Sequence, residues 1–285
     1  MRTLVTGGAG FIGTNLIKRL LEEGHSVVSI DNYSTGKKEN HQKGCQYWKY
    51  DLSVGSNAVL ERNEYDVIFH LAALPRIVPS FKNPVDTYKS GPLATMNVLE
   101  RARKNKTLVI YAGSSSVTGD IYANPDTFSK WQGEELCNLY SKLFDISTII
   151  CRFYNVYGEY QASEGAYCNV LGIFERKYRS GEPLTITDDG EQRRDFTYVG
   201  DIVDGLIKAS QYKSGSEEFE LGNGKNYSIN EVAEAFGDYP KEYIGARSGE
   251  MRITLNTDEK AKKLLGWKPK GDIIKFIKEN YILLK

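Results

Sequence analysis

Residues 5–13 read VTGGAGFIG, between a short apolar run at Leu4–Thr6 and a helical pattern that starts at Gly13. A glycine-rich turn between a strand and a helix places backbone N–H groups at the helix N-terminus, where the helix dipole favours anions. In such a turn Gly7 permits the tight bend, Gly10 lets the backbone approach a pyrophosphate, and Gly13 lets the helix pack against the strand. The pattern and its context therefore predict a dinucleotide-binding unit.

A second apolar run, residues 25–30, ends in Asp31. A carboxylate at the end of the second strand, about 20 residues after the glycines, accepts hydrogen bonds from the adenosine ribose. Its negative charge repels a 2′-phosphate, so the sequence predicts NAD rather than NADP. The alternatives for Asp31 are a loop carboxylate and a helix cap, and the preceding glycine turn favours the ribose.

Strand-like and helical patterns alternate through the first half of the chain. Strands are predicted at Leu4–Thr6, Val27–Ile30, Gln46–Tyr50, Val67–Leu71, Leu108–Tyr111 and Ser147–Cys151. Helices are predicted at Gly13–Glu23, Ala58–Arg62, Pro84–Lys104 and Ser129–Phe144. This alternation predicts an α/β fold with a Rossmann-like doubly wound parallel sheet, which binds ligands at the carboxyl ends of its strands.

The alternation loosens after about Asn155, where short helical patterns mix with isolated strands such as Leu184–Thr187 and Glu218–Leu221. We expect residues 1–154 to form an NAD-binding domain, to which residues 192–214 return. Residues 155–191 and 215–285 are then predicted to form a smaller C-terminal lobe that binds substrate.

Composition excludes several classes of partner. The 285 residues carry 37 basic and 37 acidic side chains, and this balance argues against a nucleic-acid or acidic membrane partner. The four cysteines lack CxxC or metal-ligand spacing, which is typical of reduced cysteines in a cytoplasmic protein, and three histidines make a zinc site unexpected. We expect no metal site, no membrane span and no signal peptide.

Motifs along most of the chain resemble one enzyme family. They are TGGAGFIG (6–13), HLAA (70–73), SSSV (114–117), RFYNVYG (152–158), RDFTYV (194–199) and LGW (265–267). Together they resemble the extended short-chain dehydrogenase/reductases of the NAD-dependent epimerase/dehydratase family, which act on nucleotide sugars. The resemblance implies that NAD is bound by Gly7, Gly10, Phe11, Ile12, Gly13, Asp31, Asn32, Asp51, Leu52, Leu71, Ala72, Ala73 and Lys130.

The resemblance also implies a catalytic Ser or Thr, a Tyr and a Lys. Ser114 and Lys130 match two of these positions, whereas the tyrosine position, four residues before the lysine, holds Asp126. A tyrosine has a reference pKa of about 10 and an aspartate one of about 4, so Asp126 is a far weaker base and is also shorter. We expect weak or absent turnover unless another group, such as Tyr122, substitutes. The alternative role for Asp126 is a helix N-cap.

Substrate contacts implied by the resemblance are Ser115, Asn155, Arg194 and Arg247, and the two arginines suit a bidentate clamp on a nucleotide diphosphate. Dehydratases of the family carry an Asp-Glu pair after the Ser or Thr, and decarboxylating relatives carry a glutamate there. Here Ser115 and Ser116 occupy those positions. The simplest remaining chemistry is epimerisation, most often of C4 of a UDP-sugar, by transient oxidation to a keto sugar.

Two further hypotheses remain open at this point. One is an inactive homologue that binds NAD or a nucleotide sugar, and the other is an NAD(H)-dependent keto-sugar reductase. Relatives dimerise by pairing two long helices from each protomer, so a homodimer through residues 84–104 and 129–144 is expected. Gly91 and Pro92 are expected to break or kink the first of these helices.

Overall fold

The computed structural model describes residues 1–55, 64–212, 215–246 and 249–283. Within them, seven parallel strands form one sheet. From edge to edge these are β11 (Glu217–Leu221), β6 (Thr148–Phe153), β5 (Leu108–Ser114), β4 (Val67–His70), β1 (Arg2–Thr6), β2 (Ser26–Asp31) and β3 (Gln46–Lys49). The order reverses direction at β1, which confirms the doubly wound sheet.

Helices cover both faces of the sheet. Helices α1 (Phe11–Glu22) and α7 (Val199–Ser210) pack on one face, and α4 (Ala94–Asn105) and α5 (Pro125–Phe144) pack on the other. Successive strand residues point to opposite faces, so that Val5 lies in the first core and its neighbour Leu4 in the second, both fully buried. Burial on both faces explains why the strands read as nearly continuous apolar runs.

The predicted helix at Pro84–Lys104 is interrupted at its Gly-Pro pair, as expected. A short helix α3 (Pro84–Tyr88) leads into a π-helical turn, Lys89–Leu93, before α4 begins. Pro92 has no N–H to donate. A Cβ on Gly91 would lie 2.0 Å from the hydroxyl oxygen of Ser129, so this glycine lets α5 approach closely.

The rest of the C-terminal half packs around a separate apolar cluster that includes Phe174, Ile186 and Phe236. Its strand pairs are β7 (Val156–Tyr157) with β10 (Thr197–Tyr198), β8 (Leu184–Thr187) with β13 (Lys241–Ile244), and β9 (Arg193–Asp195) with β12 (Asn226–Ser228). The remaining α-helices of the described residues are α2 (Ile77–Lys82), α6 (Val170–Ser180), α8 (Ile229–Glu234), α9 (Lys260–Leu265) and α10 (Ile273–Ile277).

Strand β11 differs from the sequence analysis, which placed it in the C-terminal lobe. It pairs in parallel with β6, with Phe219 opposite Cys151, and forms an edge of the central sheet. Phe219 and Leu221 are fully buried in the core beneath α7. The pairing joins segments far apart in sequence, so local patterns did not show it. The predicted helix at Ala58–Arg62 lies outside the described residues.

Within the described residues, none of the helices combines the length and the apolar character that a membrane crossing requires.

Candidate active site

A cavity of about 640 Å³ lies at the carboxyl ends of the central strands. We call the part beside β1–β3 the glycine end, which is lined by Gly7, Gly10, Phe11, Ile12, Gly13, Asp31, Asn32, Asp51 and Leu52. We call the part beside β5 and β6 the lysine end, which is lined by Arg76, Ser114, Ser115, Lys130, Asn155 and Tyr167. Leu71, Ala72 and Ala73 lie on the wall of the same cavity.

The backbone conformation and close packing of the turn at the glycine end require glycines. Gly7 has a φ of 71°, a conformation that favours glycine, and its N–H donates to the carbonyl oxygen of Ile30 at 2.8 Å. A Cβ on Gly13 would lie 2.2 Å from the carbonyl oxygen of Gly7. Gly10 provides no side-chain cap for α1, so the first turn keeps amide groups for an anion.

The acidic residues of the glycine end are held by neighbouring loop amides. One carboxylate oxygen of Asp31 accepts from the N–H of Ala9 at 2.9 Å and the other from the N–H of Tyr33 at 2.8 Å. Asp51 accepts from the N–H and hydroxyl of Ser53 at 2.9 and 2.7 Å and from the Asn32 amide at 3.2 Å. Although burial raises the pKa of Asp51, these hydrogen bonds outweigh it and leave the pKa below its ordinary value.

The Thr6 hydroxyl adds to the β1–β4 pairing in holding the HLAA segment. The Thr6 Oγ1 accepts from the N–H groups of Leu71 and Ala72, both at 3.1 Å, and lies 2.8 Å from Nδ1 of His70. The other ring nitrogen of His70 lies 3.0 Å from the hydroxyl of Thr95. These contacts hold the small residues on the cavity wall, where they leave room for a dinucleotide.

Ser114 and Lys130 both reach the lysine end, as the sequence predicts. The Ser114 hydroxyl lies 2.9 Å from the Ser116 hydroxyl and accepts from the Ser116 N–H at 3.2 Å. The Lys130 ammonium donates to the carbonyl oxygen of Ala112 at 2.7 Å. Burial lowers the pKa of Lys130, and the carboxylates of Asp126 and Glu134 oppose that shift.

Asp126 lies near Lys130 and Arg76, at the start of α5. It occupies the first turn of α5, and the N-cap is instead Asn124, whose side chain accepts from the Thr127 N–H at 2.9 Å. Burial raises the pKa of the Asp126 carboxyl, whereas the charges of Lys130 and Arg76 and a hydrogen bond from the Arg76 backbone N–H oppose the rise. Asp126 is absent from the described residues that line the cavity.

Tyr122, the substitute base suggested by the sequence, does not line the cavity. Its side chain is 75% exposed, its ring lies 5.7 Å from that of Phe128, and it is not among the described residues of the cavity wall. Tyr157 and Tyr167 do lie on that wall, and burial raises the pKa of each phenol. A raised pKa makes a phenol a poorer base near neutral pH.

Two of the predicted substrate contacts are rigidly held at the cavity. Asn155 donates to the Asp195 carbonyl oxygen at 3.0 Å and to the Thr254 hydroxyl at 3.1 Å. Arg194 donates to the backbone oxygen of Arg252 at 3.2 Å and lies 3.6 Å from a carboxylate oxygen of Glu250. Both residues line the cavity.

Ser115 is buried on the same wall. Arg247 lies outside the described residues.

Arg76 is a charged residue of the lysine end that sequence reasoning missed. It lies between β4 and α2, and its Nε donates to the backbone oxygen of Tyr167 at 3.0 Å. Burial lowers the pKa of its guanidinium. The available signal was a single charge within the stretch LPRIVP, residues 74–79, immediately after a strand end.

The described residues contain no group of three or more His, Cys, Asp or Glu side chains placed to hold a metal ion.

Known proteins match this chain over most of its length. Residues 3–222 match the family described as the NAD dependent epimerase/dehydratase family. A UDP-glucose 4-epimerase of Mycolicibacterium smegmatis is 31% identical to this chain, over 94% of each protein. UDP-glucuronic acid decarboxylase 1 of Xenopus tropicalis is 30% identical, over 94% of this chain and 68% of its own length.

A solved structure is similar over its whole length. It is described as a UDP-glucuronic acid 4-epimerase from Bacillus cereus in complex with UDP-glucuronic acid and NAD. It superposes with a TM-score of 0.86 at 29% sequence identity and covers 99% of this chain and 100% of its own.

Proposed function

Since the chain belongs to the NAD-dependent epimerase/dehydratase family, we propose that it is an NAD-dependent 4-epimerase of a UDP-sugar with reduced turnover. The observation that carries this proposal is the convergence of the glycine turn, Ser114 and Lys130 on one cavity. Relatives at about the same distance include both 4-epimerases and decarboxylases, so the choice between these reactions depends on the residues at the lysine end.

The glycine end fits NAD, which is the cofactor of this family. The amides of the first turn of α1 suit the pyrophosphate, and Gly13 leaves the space that a close approach requires. Asp31 suits the ribose, and Asp51 with Asn32 suits the adenine. Bound NAD supplies the hydride acceptor and donor of the reaction.

The two residues after Ser114 favour epimerisation over elimination or decarboxylation. Both of these side chains, Ser115 and Ser116, lie on the cavity wall and are hydroxyls. Elimination of water requires an acid and a base on neighbouring carbons, and serine hydroxyls do not provide them. Oxidation at one carbon, rotation of the keto sugar and reduction on the other face need only one proton acceptor.

Ser114 and Lys130 have defined roles in this proposal. The Ser114 hydroxyl hydrogen-bonds the reacting sugar oxygen, and the Lys130 ammonium, held by the Ala112 carbonyl, fixes the nicotinamide ribose. The proton of the sugar hydroxyl must move to a base as the carbon loses its hydride. The carboxylate of Asp126 is short, partly buried and hydrogen-bonded to the Arg76 backbone, so this proton transfer is the slow step.

The position of Asp126 favours a second candidate function. A chain with an intact cofactor site and no well-placed base would bind NAD and a nucleotide sugar without converting them. Asp126 supports this binding protein, because its carboxylate accepts a hydrogen bond from the Arg76 backbone and the residue is not among the described residues that line the cavity. Both proposals predict no net consumption of NADH, whereas a reductase would consume it.

We also propose that the chain forms a homodimer through α3, α4 and α5. Large apolar side chains are exposed on these helices: Val85, Tyr88, Met96, Leu139 and Leu143.

The test is proton NMR of UDP-glucose and UDP-glucuronic acid incubated with the NAD-loaded protein and with Asp126→Tyr. We expect the variant to form the 4-epimer at least about 100-fold faster, since a positioned acid–base group contributes about 10²–10⁴-fold. Asp238→Tyr, an exposed aspartate, is the matched control and should leave the rate unchanged.

If the parent chain forms the epimer and Asp126→Asn abolishes this turnover, the carboxylate itself is the base. Turnover only by Asp126→Tyr would favour the binding protein. No epimer from any form, with net NADH oxidation on a keto sugar, would contradict both and favour a reductase.

A further inference from the structure

Arg76 is a partly buried cation whose hydrogen-bonding capacity is largely unused. Its Nε donates to the Tyr167 backbone oxygen at 3.0 Å. Within the described residues, neither Nη1 nor Nη2 makes a hydrogen bond or an ion pair with a protein group, and the residue lines the cavity. A guanidinium has five N–H donors, so four of them remain for a ligand.

Two cations lie on the wall of the lysine end, Arg76 and Lys130. The charge of the Asp126 carboxylate acts on both of them. Glu134 also acts on Lys130, but it forms an ion pair at 2.7 Å with Arg152, which Glu218 and Glu220 share, and the Asp86 carboxylate that influences Tyr167 is exposed to solvent. Because the Nη groups of Arg76 have no hydrogen-bond or ion-pair partner among the described residues, an anionic ligand is favourable beside them.

We propose that Arg76 binds a carboxylate on the sugar, so that the substrate is a nucleotide-linked uronic acid rather than a neutral hexose. This inference rests on the proposed function, because it assumes that the sugar of a nucleotide sugar lies at the lysine end.

The form of the guanidinium supports a carboxylate at this position. With Nε fixed by the Tyr167 backbone, the two Nη atoms present parallel donors that match the two oxygens of a carboxylate. Arg76 shares its wall with Ser114, which serves the reacting sugar oxygen, and with Lys130, which fixes the nicotinamide ribose, whereas the diphosphate is assigned to Arg194. The anion is therefore part of the sugar.

Partial burial makes this contact selective. A charged group out of water gains more from a partner than an exposed one does, and an unpaired buried cation is costly. A neutral hexose would leave the four donors of Arg76 with weaker partners. We expect the wild-type chain to bind UDP-glucuronic acid at least about tenfold more tightly than UDP-glucose, since each ~1.4 kcal/mol is tenfold.

The experiment is isothermal titration of the NAD-loaded protein with UDP, UDP-glucose and UDP-glucuronic acid, which requires no turnover. Arg76→Met should remove the preference for UDP-glucuronic acid and leave the affinity for UDP unchanged. Arg76→Lys, which keeps the charge but not the paired donors, should keep part of the preference. Arg176→Met, an exposed arginine on α6, is the matched control and should behave like the wild type.

Equal binding of the two sugars by the wild type, or a preference that survives in Arg76→Met, would overturn the inference while the proposed function stands. Failure of UDP and of both sugars to bind would overturn the proposed function and the inference with it. If Arg76→Met does not fold, the wild type and Arg76→Lys decide between these results.

Discussion

The glycine end and the lysine end of the cavity are built in different ways. At the glycine end, the turn, Asp31 and Asp51 are held by amides and side chains from the first third of the chain. At the lysine end, Arg76, Lys130 and Asn155 come from three distant segments, and the charges of Arg76 and Lys130 are only partly paired. Much of a cofactor site can thus come from one short stretch of chain, whereas the substrate site requires the whole fold.

The two ends also differ in how they use buried charge. Hydrogen bonds at the glycine end keep the pKa of Asp51 below its ordinary value, so the carboxylate is stable as an anion. At the lysine end burial raises the pKa of Asp126 and lowers those of Lys130 and Arg76. Perturbed groups in a cleft are typical of functional sites, because burial that disfavours charge is retained where chemistry or binding needs it.

Among substitutions at the glycine end, Gly13→Ala is expected to lower NAD affinity the most. The added Cβ would lie 2.2 Å from the Gly7 carbonyl oxygen and 2.7 Å from the Gly8 Cα, so the turn must open. Overpacking costs about 1–3 kcal/mol, and we expect NAD affinity to fall by on the order of 100-fold. Titration calorimetry with NAD measures this change in affinity.

Gly245→Ala is the matched control, since its Cβ would meet nothing within 4 Å. Unchanged NAD affinity in Gly13→Ala would mean that the turn can deform without cost and that the glycine end is less rigid than its hydrogen bonds indicate.

A smaller effect is expected from Asp31→Ser. The substitution removes the charge that favours a free ribose 2′-OH and repels a 2′-phosphate, while a hydroxyl remains for one loop amide. We expect NAD affinity to fall about tenfold, the typical cost of a charged hydrogen bond, and the ratio of NAD to NADP affinity to fall further. Exposed Asp238→Ser is the control, and an unchanged ratio would show that Asp31 serves only the loop.

A further effect, on stability rather than on ligand binding, concerns His70, which links β1 to α4. Burial lowers its pKa to about 3 from an ordinary 6.5, so the unfolded chain binds a proton that the folded chain excludes between these values. Stability that is present above pH 6.5 is therefore lost as the pH falls towards 3. The expected loss from this residue is about 1.4 kcal/mol per pH unit.

Urea unfolding at pH 7.5, 6.5, 5.5 and 4.5 tests this effect. His70→Gln should be less stable at neutral pH but should lose less stability on acidification than the wild type. His41→Gln removes an exposed histidine and is the control. Parallel pH profiles for the wild type and His70→Gln would contradict the burial argument.

The sequence was sufficient for the glycine end and for the broken helix. Glycine spacing, a strand-end carboxylate and the Gly91-Pro92 pair act through backbone geometry within a few residues, so local patterns show them. The place of β11 in the central sheet and the contact of Arg76 were missed for the opposite reason. Each acquires its environment from residues far away in sequence, Cys151 for the strand and Tyr167 for the arginine.

The sequence identified the position of Asp126, but only the fold showed the contacts of its side chain. Its spacing from Lys130 identified it as the residue at the tyrosine position, because four residues are about one helical turn. Only the fold showed that Asn124 caps the helix and that the Asp126 carboxylate turns to the Arg76 backbone.

The sequence by itself determined six strands of the central sheet, the dinucleotide turn and the absence of the expected tyrosine, since these depend on backbone chemistry and periodicity. The tertiary structure alone decided which charges meet at the lysine end and which of them keep free donors. The physical reason is that pairing and burial of a side chain depend on distant segments that approach only when the chain folds.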